Sequence, residues 1–414
     1  MSSPADLLTS RFGDGLAVGP DLVAAAESAV TQALGPLRGQ RPDLLCVFVC
    51  GADLATVESA GVRAMELAGA GTTLGCSASG VIGAGRGVEN LPAVSAFAAC
   101  MPGVRCTPLH LELLHTPDGP SITGMPDRHN DDAVAVLLAD LFTFPAPEFL
   151  RRSNAEPTVL PLIGGVASGP SGSRLFLDGQ SLSAGAVGVV LSGPVAAHTV
   201  VSQGCRPFGP PMVVTKAEGN VLLELAGMPA LAKFEQIVVG LSPEDRQAVA
   251  RGLHIGLAMD EYAEEHERGD FLIRSVVGAD RQQGAIGIGD VVEVGRTVRF
   301  QVRDASAADE DLEELFARFR AEAPPVGGAL LFSCNGRGRT MFPSADHDVQ
   351  AVRAGLDTTG VAGFFAAGEI GPVGGRNHLH GFTASILVFG ADGSSSNARS
   401  ERSGGQNAQC EDGL

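Results

Sequence analysis

The chain has 414 residues, of which 44% are hydrophobic and 18% are charged. That length predicts two or three domains with sizeable cores, and the composition excludes wholesale disorder. The formal net charge of −18 repels phosphate backbones and anionic lipid headgroups. We therefore expect neither a nucleic-acid partner nor a membrane-surface partner.

The two ends of the chain carry little that suggests a core. The first 40 residues predict an extension with one helix, "DLVAAAESAVTQAL", and lack the basic and apolar segments of a signal peptide. Residues 391–414 are polar and predict a disordered tail. No apolar run reaches the roughly 20 residues that a membrane-spanning helix needs. These features predict a cytoplasmic protein.

The first folded segment reads as a strand, a helix, a strand with a glycine-rich turn, and a final strand. Residues 44–51 are continuously apolar, as in a buried strand. Residues 53–70 have apolar positions at helical spacing behind Asp53, a good N-cap residue. Residues 72–85 end in glycines, and residues 93–99 form the last strand of the unit.

The same order of elements recurs along the chain. Further copies are predicted at residues 133–193 and 329–389, and a looser fourth copy at 253–304. The pattern predicts an α/β (or α+β) fold with two pseudo-symmetric halves. Each half would hold mixed β-sheets covered by helices, with four repeated strand-helix-strand-turn-strand units in all. We place the halves at residues 41–195 and 196–390.

The glycine turns align with one another. In "SGVIG" (79–83) and "GEIGP" (368–372), Gly80, Ile82 and Gly83 align with Gly368, Ile370 and Gly371. Turns at matching positions of repeated units predict a common rim. A rim between two halves is a usual place for a small-molecule pocket.

Candidate site residues concentrate in the second half of the chain. The turn "SQGCRPFGPP" (202–211) presents Arg206, whose planar guanidinium suits a carboxylate. The same cation would lower the pKa of the Cys205 thiol, although a turn cysteine beside a solvated arginine is an equal alternative. Arg274 interrupts the apolar strand 271–280, so it must face a carboxylate, a ligand or a cleft.

Two later segments add further polar groups at strand ends. The segment "LLFSCNGRGRTMF" (330–342) is cationic, and "GEIGPVGGRNHLHGF" (368–382) holds a glutamate and two histidines. His378 and His380 would share one face of a strand, with Glu369 as a third metal ligand. The spacings typical of zinc sites are missing, and no cysteine pair completes one. We therefore predict neither a metal nor a cofactor.

Arginines, amides and glycines at strand ends favour recognition of a small carboxylate or amide. Arginine holds a carboxylate bidentately, an amide side chain reads an amine or amide, and glycine lets the backbone approach the ligand. The predicted ligand-binding residues are Ser202, Gln203, Cys205, Arg206, Arg274, Asn335, Arg337, Glu369, Arg376, Asn377 and His380.

A thiol-dependent enzyme is the alternative function. Cys205 or Cys334 would be the nucleophile, His380 the base and Glu369 the group that orients it. Catalysis needs a poised acid–base pair, which this set does not clearly supply. Binding is therefore favoured over catalysis.

The order of the motifs resembles that of the FIST domain family. These motifs are "GCSASGVIG", "LPLIGGVAS", "SQGCRPFG", "VTKAEGNVLLELAGMPAL", "ALLFSCNGRGRTMF" and "FFAAGEIGPVGGRNHLHGFTAS", and they span about residues 40–390. The resemblance implies an N-terminal and a C-terminal FIST segment. It also implies a sensory module, found in bacterial signal transduction, that binds small ligands such as amino acids. The chain leaves no room for an output domain, so we expect signalling through a protein partner. The positions carried over by motif are Cys205, Arg206, Asn335, Arg337, Glu369, Arg376, Asn377 and His380.

Overall fold

The computed structural model describes residues 9–117, 119–263, 266, 269–322 and 325–391. The described residues form four β-sheets, which include parallel and antiparallel strand pairs, with helices among them. The α/β class expected from the sequence is confirmed. Apart from residue 391, the predicted tail at 391–414 lies outside the described residues.

The first unit follows the predicted order of elements. Its elements are β1 (Arg11–Val18), α1 (Leu22–Leu34), β2 (Leu44–Cys50), α2 (Leu54–Ala68), β3 (Thr72–Ala78), β4 (Gly80–Gly83), β5 (Arg86–Glu89) and β6 (Ala93–Cys100). Asp53 caps α2 by accepting a hydrogen bond from the Thr56 backbone N–H at 2.8 Å. Strand β2 is buried on both faces, because Val47 packs towards the helices while Phe48 packs into the central core.

Strand β1 was not predicted. It pairs with β6 along its whole length, although two glycines interrupt its apolar pattern. Those glycines let helix α1 approach the strand closely. A Cβ on Gly13 would lie 2.2 Å from the Ala33 carbonyl oxygen, and one on Gly15 would lie 2.0 Å from that of Ala29. The glycines that weaken the strand pattern are therefore needed for the helix–strand packing.

The second unit repeats this plan with a longer pair of edge strands. Its elements are β7 (Arg105–Thr116), β8 (Gly119–Thr123), β9 (Asp132–Ala139), α3 (Ala146–Ser153), β10 (Leu162–Val166), β11 (Leu175–Leu177), β12 (Gln180–Leu182) and β13 (Ala186–Ser192). Strands β9 and β10 are parallel, as β2 and β3 are in the first unit. Strand β13 pairs antiparallel with both β9 and β7.

The third unit is interrupted by a separate barrel. Its first strand is β14 (Ala197–Gln203), and it resumes with α6 (Ala305–Glu322), after which come β22 (Val326–Cys334), α7 (Gly338–Met341), α8 (His347–Leu356), β23 (Val361–Ala366), β24 (Glu369–Val373), β25 (Arg376–His380) and β26 (Thr383–Gly390). The sheet order β14-β26-β22-β23 reproduces the order β1-β6-β2-β3 of the first unit. The barrel therefore occupies the place of the short link between β1 and α1.

The barrel differs from the fourth repeat expected at residues 253–304. Its elements are β15 (Cys205–Glu218), β16 (Val221–Leu225), β17 (Met228–Pro229), α4 (Ala230–Val239), α5 (Pro243–Arg251), β18 (Leu253–Ala258), β19 (Phe271–Asp280), β20 (Ala285–Ile288) and β21 (Thr297–Arg303). The strands are all antiparallel, and the pairing of β15 with β16 closes the sheet. The glycine turns in this stretch are hairpin turns of the barrel, and no helix separates the strands in the described part of 253–303.

The three units exchange hairpins in a cycle. The β4–β5 hairpin of the first unit joins the sheet of the third unit at β23. The β24–β25 hairpin of the third unit joins the sheet of the second at β10, and the β11–β12 hairpin of the second joins the first at β3. Each unit thus extends its sheet with a hairpin from another unit. The glycine turns that aligned in the sequence are the starts of these hairpins.

A single apolar core lies where the three sheets face one another. Aromatic rings from different units pack together there, with Phe48 and Phe364 at 5.1 Å and Phe12 and Phe389 at 5.3 Å between ring centroids. The helices lie on the outer faces of the first and third sheets and form separate cores with them. This arrangement is compatible with two halves that are joined by the exchanged hairpins. The boundaries at residues 195 and 390 stay predictions.

Candidate functional site

Two arginines that were predicted to bind the ligand form ion pairs with carboxylates of the same chain. Arg206 donates to Asp304 and to Asp245, both at 2.7 Å, and so ties helix α5 to the end of the barrel. Arg274, in strand β19, donates to Asp290 at 2.6 Å. Both guanidinium groups thus have a structural role in this structure.

Other residues predicted to bind the ligand lie on the β24–β25 hairpin, and one of them holds this hairpin against the second unit. Asn377 accepts a hydrogen bond from the Leu162 N–H at 2.8 Å and donates to the Leu160 carbonyl at 2.9 Å. It therefore fixes the hairpin to the second unit. Arg376 is exposed on the same strand. Burial and the nearby Arg274 and Arg376 lower the pKa of His378 to about 4.

The end of strand β14 connects the barrel to the three repeated units, which together we call the body. The Gln203 side chain donates to the Phe271 carbonyl at 2.9 Å, and its backbone N–H donates to Asp311 at 2.8 Å. Ser202 is buried, and its hydroxyl has no partner among the described residues. Burial raises the pKa of Cys205 to about 12, which outweighs the opposite effect of Arg337. The lowered thiol pKa expected at Cys205 is therefore wrong.

Three predicted residues come together at the junction of the body and the barrel. They are Cys334 at the end of β22, Arg337 in the next loop, and Glu369 at the start of β24. Thr383 starts β26, and the pairing of Ala384 with Ser333 of β22 places Thr383 next to Cys334. We call Cys334, Arg337, Glu369, Phe382 and Thr383 the junction site.

Glu369 is fully buried in the junction site. Its Oε2 accepts hydrogen bonds from the Thr383 backbone N–H at 3.1 Å and from the Thr383 hydroxyl at 2.9 Å. Its Oε1 has no hydrogen-bond partner among the described residues. Burial raises the pKa of Glu369 to about 8, although the Thr383 hydrogen bonds and the charge of Arg337 oppose the shift. The carboxyl is therefore mostly protonated at neutral pH.

Arg337 is also fully buried, and its charge is balanced by Asp348. Two of its nitrogens donate to Asp348, at 2.7 and 2.8 Å, and the Ser333 hydroxyl donates to the same carboxylate at 2.6 Å. Burial alone would raise the pKa of Asp348, but the charge of Arg337 and these bonds hold it well below its usual range. The remaining nitrogen, Nη1, has no partner among the described residues. It lies against Gly204, where a Cβ would be only 2.8 Å away.

Cys334 completes the polar part of the site. The Gly336 backbone N–H donates to its Sγ at 3.5 Å, and 6% of the residue is exposed. Burial raises the pKa of the thiol well above its usual value, and the nearby Glu369 carboxyl raises it further. Both groups are therefore neutral at neutral pH, and they are neighbours.

Within the junction site, Phe382 lies between the polar groups and the barrel. Its ring centroid lies 4.2 Å from that of His254 and 5.5 Å from the guanidinium carbon of Arg303, while the other side packs against Gly336. Its φ of 61° is unusual for a bulky residue. Such backbone strain is often found at ligand sites. Both ring nitrogens of the buried His254 lack hydrogen-bond partners among the described residues.

A comparison of the three exchanged hairpins shows that the fold does not require a glutamate at the position of Glu369. The strand registers place Glu369 where the other two hairpins have Val81 and Leu175. The cross-strand partners are His380 opposite Glu369, Val88 opposite Val81, and Leu182 opposite Leu175. Two copies therefore use an apolar pair, and the third buries a carboxyl and an imidazole. His380 Nε2 lies 2.9 Å from the Gly371 carbonyl oxygen.

The same comparison applies to the neighbouring residues. Cys50 has the register position of Cys334, since it pairs with Ala78 as Cys334 pairs with Ala366. Asn90, two residues beyond Val88, has a φ of 57° and corresponds to Phe382. Asparagine tolerates this conformation better than phenylalanine does. The positions at which the third unit differs from the first, Glu369, His380 and Phe382, thus lie around the thiol of Cys334.

Sequence reasoning missed several residues of this region. These are Gly204, His254, Asp348, Phe382 and Thr383. The aligned turns "SGVIG" and "GEIGP" did contain a usable signal, because Val81 of the first aligns with Glu369 of the second. Asn335, a predicted ligand residue, is exposed beside Cys334. The described residues contain no cluster of three or more His, Cys, Asp or Glu that suits a metal ion.

Comparison with known proteins agrees with the motif order. The chain matches the FIST N domain over residues 43–228 and the FIST C domain over residues 230–372. It is 44% identical over 92% of its length to an uncharacterized protein, Rv0628c, of Mycobacterium tuberculosis, and covers 99% of that protein. It is 41% identical over 92% of its length to an uncharacterized protein, Mb0898c, of Mycobacterium bovis, and covers 98% of it. Within the described residues, no helix combines the length and apolarity that crossing a bilayer requires.

Proposed function

The chain belongs to the FIST family, and we propose that it is a sensory protein whose small ligand binds at the junction site. FIST domains are in general sensory domains. The proposal extends this role to a particular place in the chain. It also includes a cytoplasmic location and a protein partner that receives the signal.

One observation carries the proposal. Arg337 Nη1 and Glu369 Oε1 are both fully buried, and neither has a hydrogen-bond partner among the described residues. An unsatisfied buried polar atom costs about 1–3 kcal/mol, and native proteins contain few of them. A ligand that bonded to both atoms would remove this cost. The hairpin comparison supports the same view, because the fold accepts an apolar residue at the position of Glu369.

The chemistry of the site favours a small carboxylate or carboxamide, such as an amino acid or its amide. Arg337 Nη1 offers an N–H donor to a ligand oxygen. Glu369, when protonated, both donates through its O–H and accepts through its other oxygen. The entrance in this proposal lies between exposed Asn335 and the half-buried Gly336 and Phe382. Because Arg337 and Glu369 are fully buried, the proposal is limited to small compounds.

A thermal-shift screen tests the proposal. Amino acids, their amides and short carboxylates are tested against the wild type and against the double variant Glu369→Val with His380→Val, which copies the apolar pair of the first hairpin. Arg206→Lys is the control, because Arg206 lies in ion pairs outside the junction site. A ligand at 100 times its Kd should stabilise the wild type and the control by about 2.7 kcal/mol. The proposal fails if no compound stabilises the wild type, or if the double variant responds equally.

A further inference from the structure

We propose that Cys334 captures small α,β-unsaturated amides and carbonyl compounds covalently, with Glu369 accepting the proton of the thiol. This inference rests on the proposed function, since it assigns a ligand chemistry to the same junction site. It differs from reversible recognition in that a bond forms to the protein. The protein would then respond to reactive compounds rather than only to stable ones.

The arrangement supplies the three parts that such a reaction needs. Cys334 Sγ is the nucleophile, and the Gly336 N–H at 3.5 Å stabilises negative charge on it. Glu369 Oε2 is held by Thr383, which leaves Oε1 unpartnered among the described residues. Thr383, which donates to Glu369, begins strand β26, and the pairing of β26 with β22 places Thr383 next to Cys334, so the carboxyl lies near the thiol. The thiol itself donates to Asn335 Oδ1 at 3.9 Å. Glu369 is therefore placed to act as a base for this thiol.

Burial explains why this thiol needs a neighbouring base. A fully buried thiolate is unfavourable, and burial raises the pKa of Cys334 well above its usual value. The free thiol is therefore a weak nucleophile at neutral pH. Burial also raises the pKa of Glu369, to about 8, which makes its carboxylate a stronger base than that of an exposed glutamate. Burial thus raises the pKa of both Cys334 and Glu369.

The reaction is balanced without an oxidant or a leaving group. Sγ attacks the β-carbon of the conjugated alkene, and a carbon–sulfur bond forms as the π electrons move towards the carbonyl. Glu369, in its ionised form, takes the proton from sulfur and returns it to the α-carbon. The net change is addition of S–H across the carbon–carbon double bond. Glu369 ends in its starting state.

The repeat provides a matched control within the same molecule. Cys50 has the register position of Cys334 in the first unit, and it is also buried, with 2% exposed against 6% for Cys334. Burial raises the pKa of Cys50 as well. Its hairpin neighbour at the position of Glu369 is Val81, which cannot accept a proton. Cys50 is thus a buried thiol at the equivalent position, and it has no carboxyl at the position of Glu369.

Acrylamide is a suitable probe because it is small, neutral and a conjugated amide. The full-length protein is incubated with acrylamide between pH 6 and pH 9, and adducts on Cys334 and Cys50 are quantified by peptide mass spectrometry. We expect Cys334 to react at least tenfold faster than Cys50. Its rate should rise with pH and level off above about 8, as Glu369 loses its proton. Equal rates for the two cysteines, or a rate that keeps rising tenfold per pH unit up to pH 9, would overturn the inference.

Glu369→Gln tests the base directly with little change in shape. It should slow labelling of Cys334 at least tenfold and leave Cys50 unchanged, and an unchanged Cys334 rate would contradict the inference. The wild-type pH profile needs no variant, so the test survives if the variant folds poorly. The two proposals can also fail separately. If compounds stabilise the protein but Cys334 is not labelled, the binding site stands and the covalent step is refuted. If Cys334 is labelled but no compound stabilises the protein, the covalent step stands and the proposed reversible binding is refuted.

Discussion

The buried carboxyl of Glu369 makes the stability of the protein depend on pH. Its pKa is about 8 in the folded chain, against a reference value of 4.5, because burial disfavours the charged form. Between these two values the folded state holds a proton that the unfolded state has released. The free energy of unfolding must therefore fall as the pH rises from about 4.5 to about 8. Below pH 4.5 both states are protonated, and this contribution is constant.

The size of the effect follows from the shift. Each pH unit within the window costs about 1.4 kcal/mol, so raising the pH from 5.5 to 7.5 should remove roughly 2–3 kcal/mol through this one group. Glu369→Gln holds no titrating proton and removes the contribution. The difference in unfolding free energy between variant and wild type should therefore grow by about that amount over the same range.

Urea denaturation at pH 5.5, 6.5 and 7.5 measures this difference, because other titrating groups cancel between the two proteins. Glu148→Gln is the control, since Glu148 is a surface carboxylate that bonds to Arg151. It should leave the pH dependence of the wild type nearly unchanged over this range. Parallel pH profiles for the wild type and Glu369→Gln would refute the claim that this carboxyl is buried and protonated.

Two further substitutions test the packing around the site. Asp348→Asn would leave the buried guanidinium of Arg337 without its counter-ion, and urea denaturation should show a loss of about 3–5 kcal/mol; a loss below about 1 kcal/mol would contradict the buried pair. Gly363→Ala would place a Cβ 1.7 Å from the Leu331 carbonyl oxygen beside an exchanged hairpin, and should lower the free energy of unfolding by about 3 kcal/mol or more. Gly35→Ala, where a Cβ meets open space, should be nearly neutral, and equal effects would contradict the close packing at Gly363.

The elements of the fold were largely accessible to sequence reasoning, because hydrophobic periodicity and caps are local signals. The strand expected at 44–51 is β2 (Leu44–Cys50), and the helix expected at 53–70 is α2 (Leu54–Ala68). Strand β1 was missed because its glycines serve packing against α1 rather than strand propensity. The partner of each exchanged hairpin was inaccessible for another reason. The aligned turns reveal equivalent hairpins but not the sheet that each one joins.

The functional reading of single residues was less accessible, because a side chain's partner is set by the tertiary fold. Arg206 and Arg337 look alike in the sequence, as cations at strand ends. One is ion-paired with Asp304, 98 residues away, and the other with Asp348. Only the structure shows that Arg337 keeps a buried N–H that has no hydrogen-bond partner in the part of the chain that the structure describes. The position of Glu369 near Cys334 likewise depends on the register of the strands.

The most direct test of the central claim is ligand binding measured by isothermal titration calorimetry. The strongest stabiliser from the thermal-shift screen is titrated into the wild type, the Glu369→Val and His380→Val double variant, and Arg206→Lys. If the junction site is the ligand site, the wild type and Arg206→Lys bind with similar Kd. The double variant should stay folded and bind at least tenfold more weakly, since it lacks the buried carboxyl. Equal affinity in a folded double variant would show that the ligand binds elsewhere.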